Sequence, residues 1–448
     1  MALVVLILKA IMWTTIGVMV VYATRHALFT LGRLRGRQRL YYQDIIDSDL
    51  PFVTVLVPMH NEGAVAADIL AALADTIYPS ELFEVIPIND HSDDNTGEVL
   101  DEYAELYSFI RPLHRTEGPR GKPPALNEAM RLARGEIIVV FDADYLPARG
   151  LIRDLAVCFK DPEIGGVMGR VIPMNTPRNL LTRLLDMERS GGYQVDQQAR
   201  YNFGLVPQYG GTVGGFRKDV VLSLGGFHPH ILTEDTELTF NLFVRGWKVI
   251  YANRLECYEE SPEEWRVRAR QIRRWAMGHT QTMLGYMRKV FTSPFLNFKE
   301  KMDGALLLFV YMVPIVQLIG ILDGVALFFL GEMTLREGIL FLLFVVVYNT
   351  FGNLAPFYQI AAGSLLDGGQ DRIKLLPFFL FNYVFNMWTI SGGVASAIVH
   401  RFTGRWVDWR KTRRYRKDRP SFQIQRDERR KTPRDSGGGP DAGPELER

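Results

Sequence analysis

Ile137-Ile138-Val139-Val140-Phe141-Asp142-Ala143-Asp144 is the stretch on which the reading of this chain turns. An apolar, β-branched run this short predicts a buried strand over Glu136–Phe141. It ends abruptly on two carboxylates one residue apart. Working back from it, Ala125–Ala133 predicts a helix, Thr96–Tyr107 a helix, Glu84–Ile88 a strand, Ala64–Ala74 a helix and Phe52–Val57 a strand. Strand and helix alternating in this way predict an α/β domain over residues 50–280, with a mainly parallel sheet covered on both faces.

In an open parallel sheet, ligands bind beyond the carboxyl ends of the strands. The turn after each strand here is rich in chemistry. Pro58-Met59-His60-Asn61-Glu62 comes after the first, and Asn89-Asp90-His91-Ser92-Asp93-Asp94 after the second. Asp142-Ala143-Asp144 comes after the buried run. Between them Gly121-Lys122-Pro123-Pro124 opens a helix, and a lysine at a helix start suits a phosphate. Carboxylates beside phosphates need a cation between them, and a hard divalent ion held by few carboxylates fits magnesium or manganese. Taken singly each piece is weak. An Asp-x-Asp is most often a turn, a lone lysine is most often on the surface, and Asp90 alone can be a helix cap. Their shared edge points to a metal-assisted nucleotide-diphosphate site.

Two further groups lie downstream. Thr233-Glu234-Asp235 precedes a helical run ending at Gly246, where acids also suit the helix dipole. Gln271-Ile272-Arg273-Arg274-Trp275 places Gln271, Arg274 and Trp275 on one helical face. An aromatic ring flanked by Arg and Gln can stack on a sugar and bind phosphate, and it can equally anchor an interfacial helix.

The 448 residues are 47% hydrophobic and 23% charged, and the apolar residues gather at the two ends. Residues 2–24 carry Lys9 as the one charge and are long enough for a bilayer, which takes about 20 residues. The basic cluster Arg25, Arg33, Arg35, Arg37 and Arg39 comes after this run rather than before it. That order predicts a membrane anchor over residues 1–25, a basic linker over 26–49 and a cytosolic domain after it, not a cleaved signal. Residues 262–290, rich in Arg and Trp, predict an amphipathic helix at the membrane surface, continuing as an interfacial region over 281–303. Three apolar stretches, about 304–330, 338–362 and 372–400, are each long enough to span. One span before the domain and three after it put the tail outside, whereas the dense basic run from Arg401 to Arg419 argues for the inside. The remainder of the 401–448 tail is polar and expected to be disordered. A net charge of +2 gives no reason to expect nucleic acid, and two cysteines, Cys158 and Cys257, make neither a disulfide framework nor a metal motif.

From Phe52 to Trp275 these motifs, in this order, resemble the processive membrane glycosyltransferases of family 2, among them cellulose synthase, hyaluronan synthase and poly-N-acetylglucosamine synthase. The resemblance implies a GT-A fold with a Rossmann-like mixed sheet, a uridine-diphosphate sugar donor, a growing β-linked glycan as acceptor, membrane lipids as surroundings and a multi-pass place in the plasma membrane. It implies that Asn61, Glu62 and Asp90 lie near the nucleoside and Lys122 near the nucleotide. Asp144 would hold Mg2+ or Mn2+ with Asp142 close by, and Asp235 would be the general base beside Glu234. Gln271 and Arg274 would contact the diphosphate, and Trp275 would stack on the acceptor sugar. Tyr209-Gly210-Gly211-Thr212 resembles the acceptor-side strand, which implies Gly211 and Thr212 in the acceptor set, although Gly210 departs from the family's usual cysteine. Asn89-Asp90-His91-Ser92 departs from the commoner Asp-Asp-Gly-Ser. Ceramide glucosyltransferases share a similar Arg-Trp motif, which keeps transfer of one sugar to a lipid as the alternative.

Overall fold

The computed structural model describes residues 1–36, 50–208, 210–211, 213–332 and 357–403. The first half of the sheet forms as expected. Strands β1 (Val53–Met59), β2 (Phe83–Asp90), β3 (Leu113–Arg115) and β4 (Ile137–Val140) are parallel to one another, joined by helices α2 (Gly63–Ala74), α3 (Thr96–Leu106) and α4 (Lys122–Leu132). β1 is central here, pairing Val53 with Phe83 on one side and Val53 with Ile137 on the other. Its valines and Leu56 are fully buried, as befits a strand covered on both faces.

The second half adds antiparallel pairings and makes the sheet the mixed one that the GT-A resemblance implies. β5 (Leu146–Pro147), β6 (Ile164–Pro173), β7 (Gly214–Arg217) and β8 (Lys248–Glu259) complete an eight-stranded order β3-β2-β1-β4-β7-β6-β8-β5. β7 runs antiparallel to both β4 and β6, and β5 antiparallel to β8, while β6 and β8 are parallel. The Gly-Gly start of β7 lacks the β-branched run that marks a strand, and the space explains the glycines. A Cβ on Gly215 would lie 2.4 Å from Leu155 of α5 (Leu151–Cys158), which packs across it.

Between β6 and β7 the chain makes α6 (Leu180–Ser190), a seven-residue π-helical segment (Gly191–Gln197) and α7 (Gln198–Asn202) without a break. Apolar helices dock on this insertion. α1 (Ala2–Arg35) is one 34-residue helix. Arg25 and Arg33 are buried, so they are internal partners of the fold rather than free cations of a basic linker. Arg33 donates to the Gln194 carbonyl at 2.8 Å. Arg25 and Arg200 share Asp196 and Asp303, with Arg25 Nε 3.3 Å and Arg200 Nη1 2.6 Å from Asp303.

After α8 (Lys218–Ser223) and α9 (Glu234–Phe243), the 28-residue α10 (Trp265–Thr292) crosses the boundary expected at residue 280. It does not simply lie on a membrane surface. Ile272, Ala276, Gly278 and Thr282 are buried, and Gly393 of α14 (Phe379–Thr403) packs against the Arg273 carbonyl and Ala276. α11 (Phe298–Phe309) and α12 (Val313–Phe329) form one apolar rod, and α13 (Phe357–Leu366) is a short apolar helix. Three helical stretches among the described residues are long and apolar enough to cross a membrane: Ala2–Arg35, Phe298–Phe329 and Gln370–Thr403. Most of the span expected at 338–362, residues 37–49 of the linker and nearly all of the 401–448 tail lie outside the described residues.

Candidate active site

The site is assembled at the carboxyl ends of the strands, where the next helices begin. At the β1 and β2 ends, Asn61 and His91 both hold left-handed backbone, with φ of 55° and 57°. Non-glycine residues in that region carry local strain and gather at functional sites. The two loops are laced together. The Asn61 N–H donates to Ser92 Oγ at 3.0 Å, Asp93 N–H to the Asn61 side chain at 2.9 Å, and Glu62 N–H to Thr96 Oγ1 at 2.9 Å. Asp90 is buried, with its carboxylate facing Arg115 and His91 and accepting the Gly121 N–H at 2.8 Å. It thereby fixes the start of α4, whose first residue is Lys122.

Lys122 is where the separate motifs meet. Its ammonium lies 2.8 Å from Asp142, 3.2 Å from Glu234 and 3.1 Å from the Gly211 carbonyl. The Asp-Ala-Asp turn, the Thr-Glu-Asp helix start and the glycine loop before β7 thus surround one cation. Gly211 has a φ of +79°, and a Cβ there would sit 2.6 Å from the Asp235 carboxylate. Gly211→Ala is therefore expected to lower the activity of this site roughly tenfold or more, because it strains the turn and displaces Asp235 together. Initial rates, normalised to folded protein by circular dichroism, check this. Thr212 and Tyr209 lie outside the described residues.

Asp235 stands in the first turn of α9 and receives the Thr236 N–H at 2.7 Å. Burial and the Glu234 carboxylate beside it raise its pKa to about 7, against the opposing pull of the Thr236 N–H, Lys122 and Arg274. A carboxylate that titrates there suits proton transfer near neutral pH. Among the described residues no hydrogen bond or ion pair engages Arg274, and its charge lowers the pKa of Asp235. Gly278 lets α10 approach this helix start, since a Cβ on it would lie 2.5 Å from Thr233. His279, one residue on, is buried and held neutral, burial pushing it down to about 3.

Gln271 accepts from Arg268 at 2.8 Å, and Trp275 lies within reach of two guanidinium groups, Arg268 at 5.2 Å and Arg189 at 5.6 Å from its ring. No sequence motif flags Arg189, Arg268, Glu188 or Glu259, which support this ring. Their partners stand as far as 80 residues apart, as in the Arg268–Glu188 pair, and no local spacing marks them.

Among the described residues no three His, Cys, Asp or Glu side chains converge as a ready metal cage. Asp144 is buried, Asp142 is partly exposed, and Glu234 stands across Lys122 from Asp142. This all-oxygen set fits a hard divalent ion completed by phosphate oxygens and water.

A curled mixed sheet with acidic turns and basic helix starts along one edge is the GT-A architecture of enzymes that transfer sugars from activated donors. A family model described as "Glycosyltransferase like family 2" matches residues 51–278, just over half of the chain. The chain belongs to the family 2 glycosyltransferases. It is 28% identical over 375 residues to a probable glycosyltransferase, YdaM, of Bacillus subtilis (strain 168), covering 82% of this chain and 88% of that protein. It is 34% identical over 266 residues to a beta-monoglucosyldiacylglycerol synthase of Nostoc sp., a match spanning 58% of this chain and 55% of that one. A mannosyltransferase of Pyrobaculum calidifontis, solved with GDP-Man and Mn2+, superposes with a TM-score of 0.56 at 22% identity, over 80% of this chain and 97% of that one. These relatives do not single out the cellulose and hyaluronan synthases that the motifs resemble.

Proposed function

We propose that the protein is an inverting transferase that moves one sugar from a uridine-diphosphate donor to a hydroxyl of a membrane lipid. The observation that carries this is the meeting of Asp235, Glu234, Lys122, Asp142 and Gly211 at one point. A carboxyl group with its pKa raised to about 7, a lysine ammonium and two further carboxylates stand together there, which supports a base, a phosphate contact and a metal side. The lipid acceptor is supported by the packing of α10, which carries Gln271, Arg274 and Trp275, against the apolar α14. It is supported too by the likeness to a glucosyldiacylglycerol synthase.

In this reading Asn61, Glu62 and Asp90 shape the nucleoside end, and Lys122, Gln271 and Arg274 receive the diphosphate. Asp235 takes the proton of the acceptor hydroxyl as its oxygen bonds to the anomeric carbon. The bond from that carbon to the diphosphate breaks on the opposite side, which inverts the configuration. Asp144 and Asp142 would hold Mg2+ or Mn2+, which would supply charge neutralisation for the leaving diphosphate. α1 and the apolar helices after α10 hold the domain at the cytosolic face of the plasma membrane.

The pH dependence comes from Asp235. The titratable groups facing it include Glu234, Lys122, Arg274 and Tyr311. The pKa is raised, so the base is protonated and idle below about 7 and charged above it. kcat/KM is expected to rise with pH through about 7; a flat profile from about pH 5 to 8 contradicts the assignment.

Trp275 favours a second reading, a growing β-linked polysaccharide, because a partly buried indole between two cations is a platform for a sugar ring. A membrane-vesicle assay with a panel of labelled uridine-diphosphate sugars and Mg2+ or Mn2+ separates the two by product size. Label in a single-sugar lipid supports the first, and a ladder supports the second. No incorporation and no donor binding rejects both.

A further inference from the structure

Glu259 closes β8 at 6% exposure, beneath the active-site edge and outside every motif of the site. Its two oxygens serve two parts of the site. Oε2 accepts the Tyr145 hydroxyl at 2.6 Å, and Oε1 and Oε2 accept Arg189 Nε and Nη2 at 2.7 and 3.2 Å. Tyr145 is the residue directly after Asp144 and is itself buried. Arg189 continues from Glu259 to the Trp275 ring at 5.6 Å. Its neighbour Glu188 takes Arg268 at 2.5 Å, and Arg268 holds Gln271 and covers Trp275 as well. The chain of contacts runs unbroken from the carboxylates of the Asp-Ala-Asp turn to the helix bearing Trp275.

We propose that Tyr145, Glu259 and Arg189 are positioning residues that set the acceptor side of the site, at Trp275, in register with the donor side, at Asp144. This rests on the glycosyl-transfer reading of the site. Both ends of the relay sit on rigid elements, but those elements belong to different layers. The Asp-Ala-Asp turn hangs from β4, and Trp275 rides on α10, which is packed against an apolar helix. A buried carboxylate with three hydrogen bonds, two of them short, fixes their spacing where apolar packing alone tolerates slippage. Mis-setting by about 1 Å is enough to slow a bimolecular transfer while the donor still sits correctly.

A merely structural role lowers all activities together. A positioning role changes how the donor is spent: on the acceptor or on water. Tyr145→Phe removes one hydroxyl and leaves the ring in place. In the full-length protein in lipid vesicles, with a uridine-diphosphate sugar found active for wild type, two rates are measured. They are donor hydrolysis without acceptor and transfer with acceptor. Tyr145→Phe is expected to lower transfer about tenfold, the worth of a hydrogen bond to a charged group, with hydrolysis and donor KM changed less than about twofold. Glu259→Gln, which keeps shape and loses charge, should shift the same ratio in the same direction. Transfer and hydrolysis falling in parallel, or neither changing, overturns the relay while the transfer reading stands. A wild type that binds and hydrolyses no nucleotide sugar sinks the reading of the site and the relay with it.

Discussion

Asp235→Asn is expected to reduce transfer by about two to four orders of magnitude, the usual worth of a positioned general base, with donor affinity held within about threefold. The substitution is nearly isosteric. The amide oxygen still accepts the Thr236 N–H that Asp235 accepts at 2.7 Å, so the first turn of α9 keeps its form. What is lost is the ability to take a proton. The donor-side groups are untouched, because Lys122 keeps Asp142, Glu234 and the Gly211 carbonyl as partners. Removing the half-buried Asp235 charge also relieves its repulsion with Glu234, so any change in fold stability should be small or favourable. Single-turnover transfer and calorimetric donor binding, on the same preparation, separate the two effects. Retention of more than about a tenth of wild-type turnover would remove Asp235 from the role of base and pass it to Glu234.

The second large effect is on stability. Asp303→Ala leaves Arg25 and Arg200, buried to 8% and 1% exposure, with Asp196 as the one carboxylate between them among the described residues. Stranding a buried charge in this way costs about 3–5 kcal/mol. The loss should appear as a fall in the denaturation midpoint of the purified protein in detergent and in folded yield. Replacing all four charged residues together with apolar residues of similar volume should recover most of it, because the cost lies in the unpaired charge rather than in the missing bonds. A single variant that melts with wild type places water or solvent ions in the network instead.

The donor half of the domain is legible in the sequence because its information is local. β1, β2 and β4 are short apolar runs bounded by helices, and each strand hands directly to its functional turn at Asn61, Asp90 and Asp142. The convergence of the Asp-Ala-Asp turn with the Thr-Glu-Asp helix start is legible only as a shared motif order. The contact through Lys122 belongs to the fold. The antiparallel half is not legible. β7 is glycine-rich because Leu155 needs the space, and such a reason lies in a partner far back along the chain. The basic residues after the first apolar run mislead for the same reason. Arg25 and Arg33 look like flanking cations by position, yet each is spoken for by residues far along the chain. Arg189 and Glu259, joined across 70 residues, carry no pattern at all.

The Arg25–Asp303 pair also sets a timetable for making this protein. The two residues are 278 positions apart, so at about 5–20 residues per second the ribosome needs roughly 14–56 s between them. For that interval Arg25 has been synthesised without the carboxylate that answers it, and Asp196 arrives only part of the way through. The first helix must therefore wait in a provisional setting, with its cation in water or at lipid headgroups. It can take its final seat only after α11 has emerged. Biogenesis of the enzyme is thus gated late, by a residue lying beyond the whole catalytic domain.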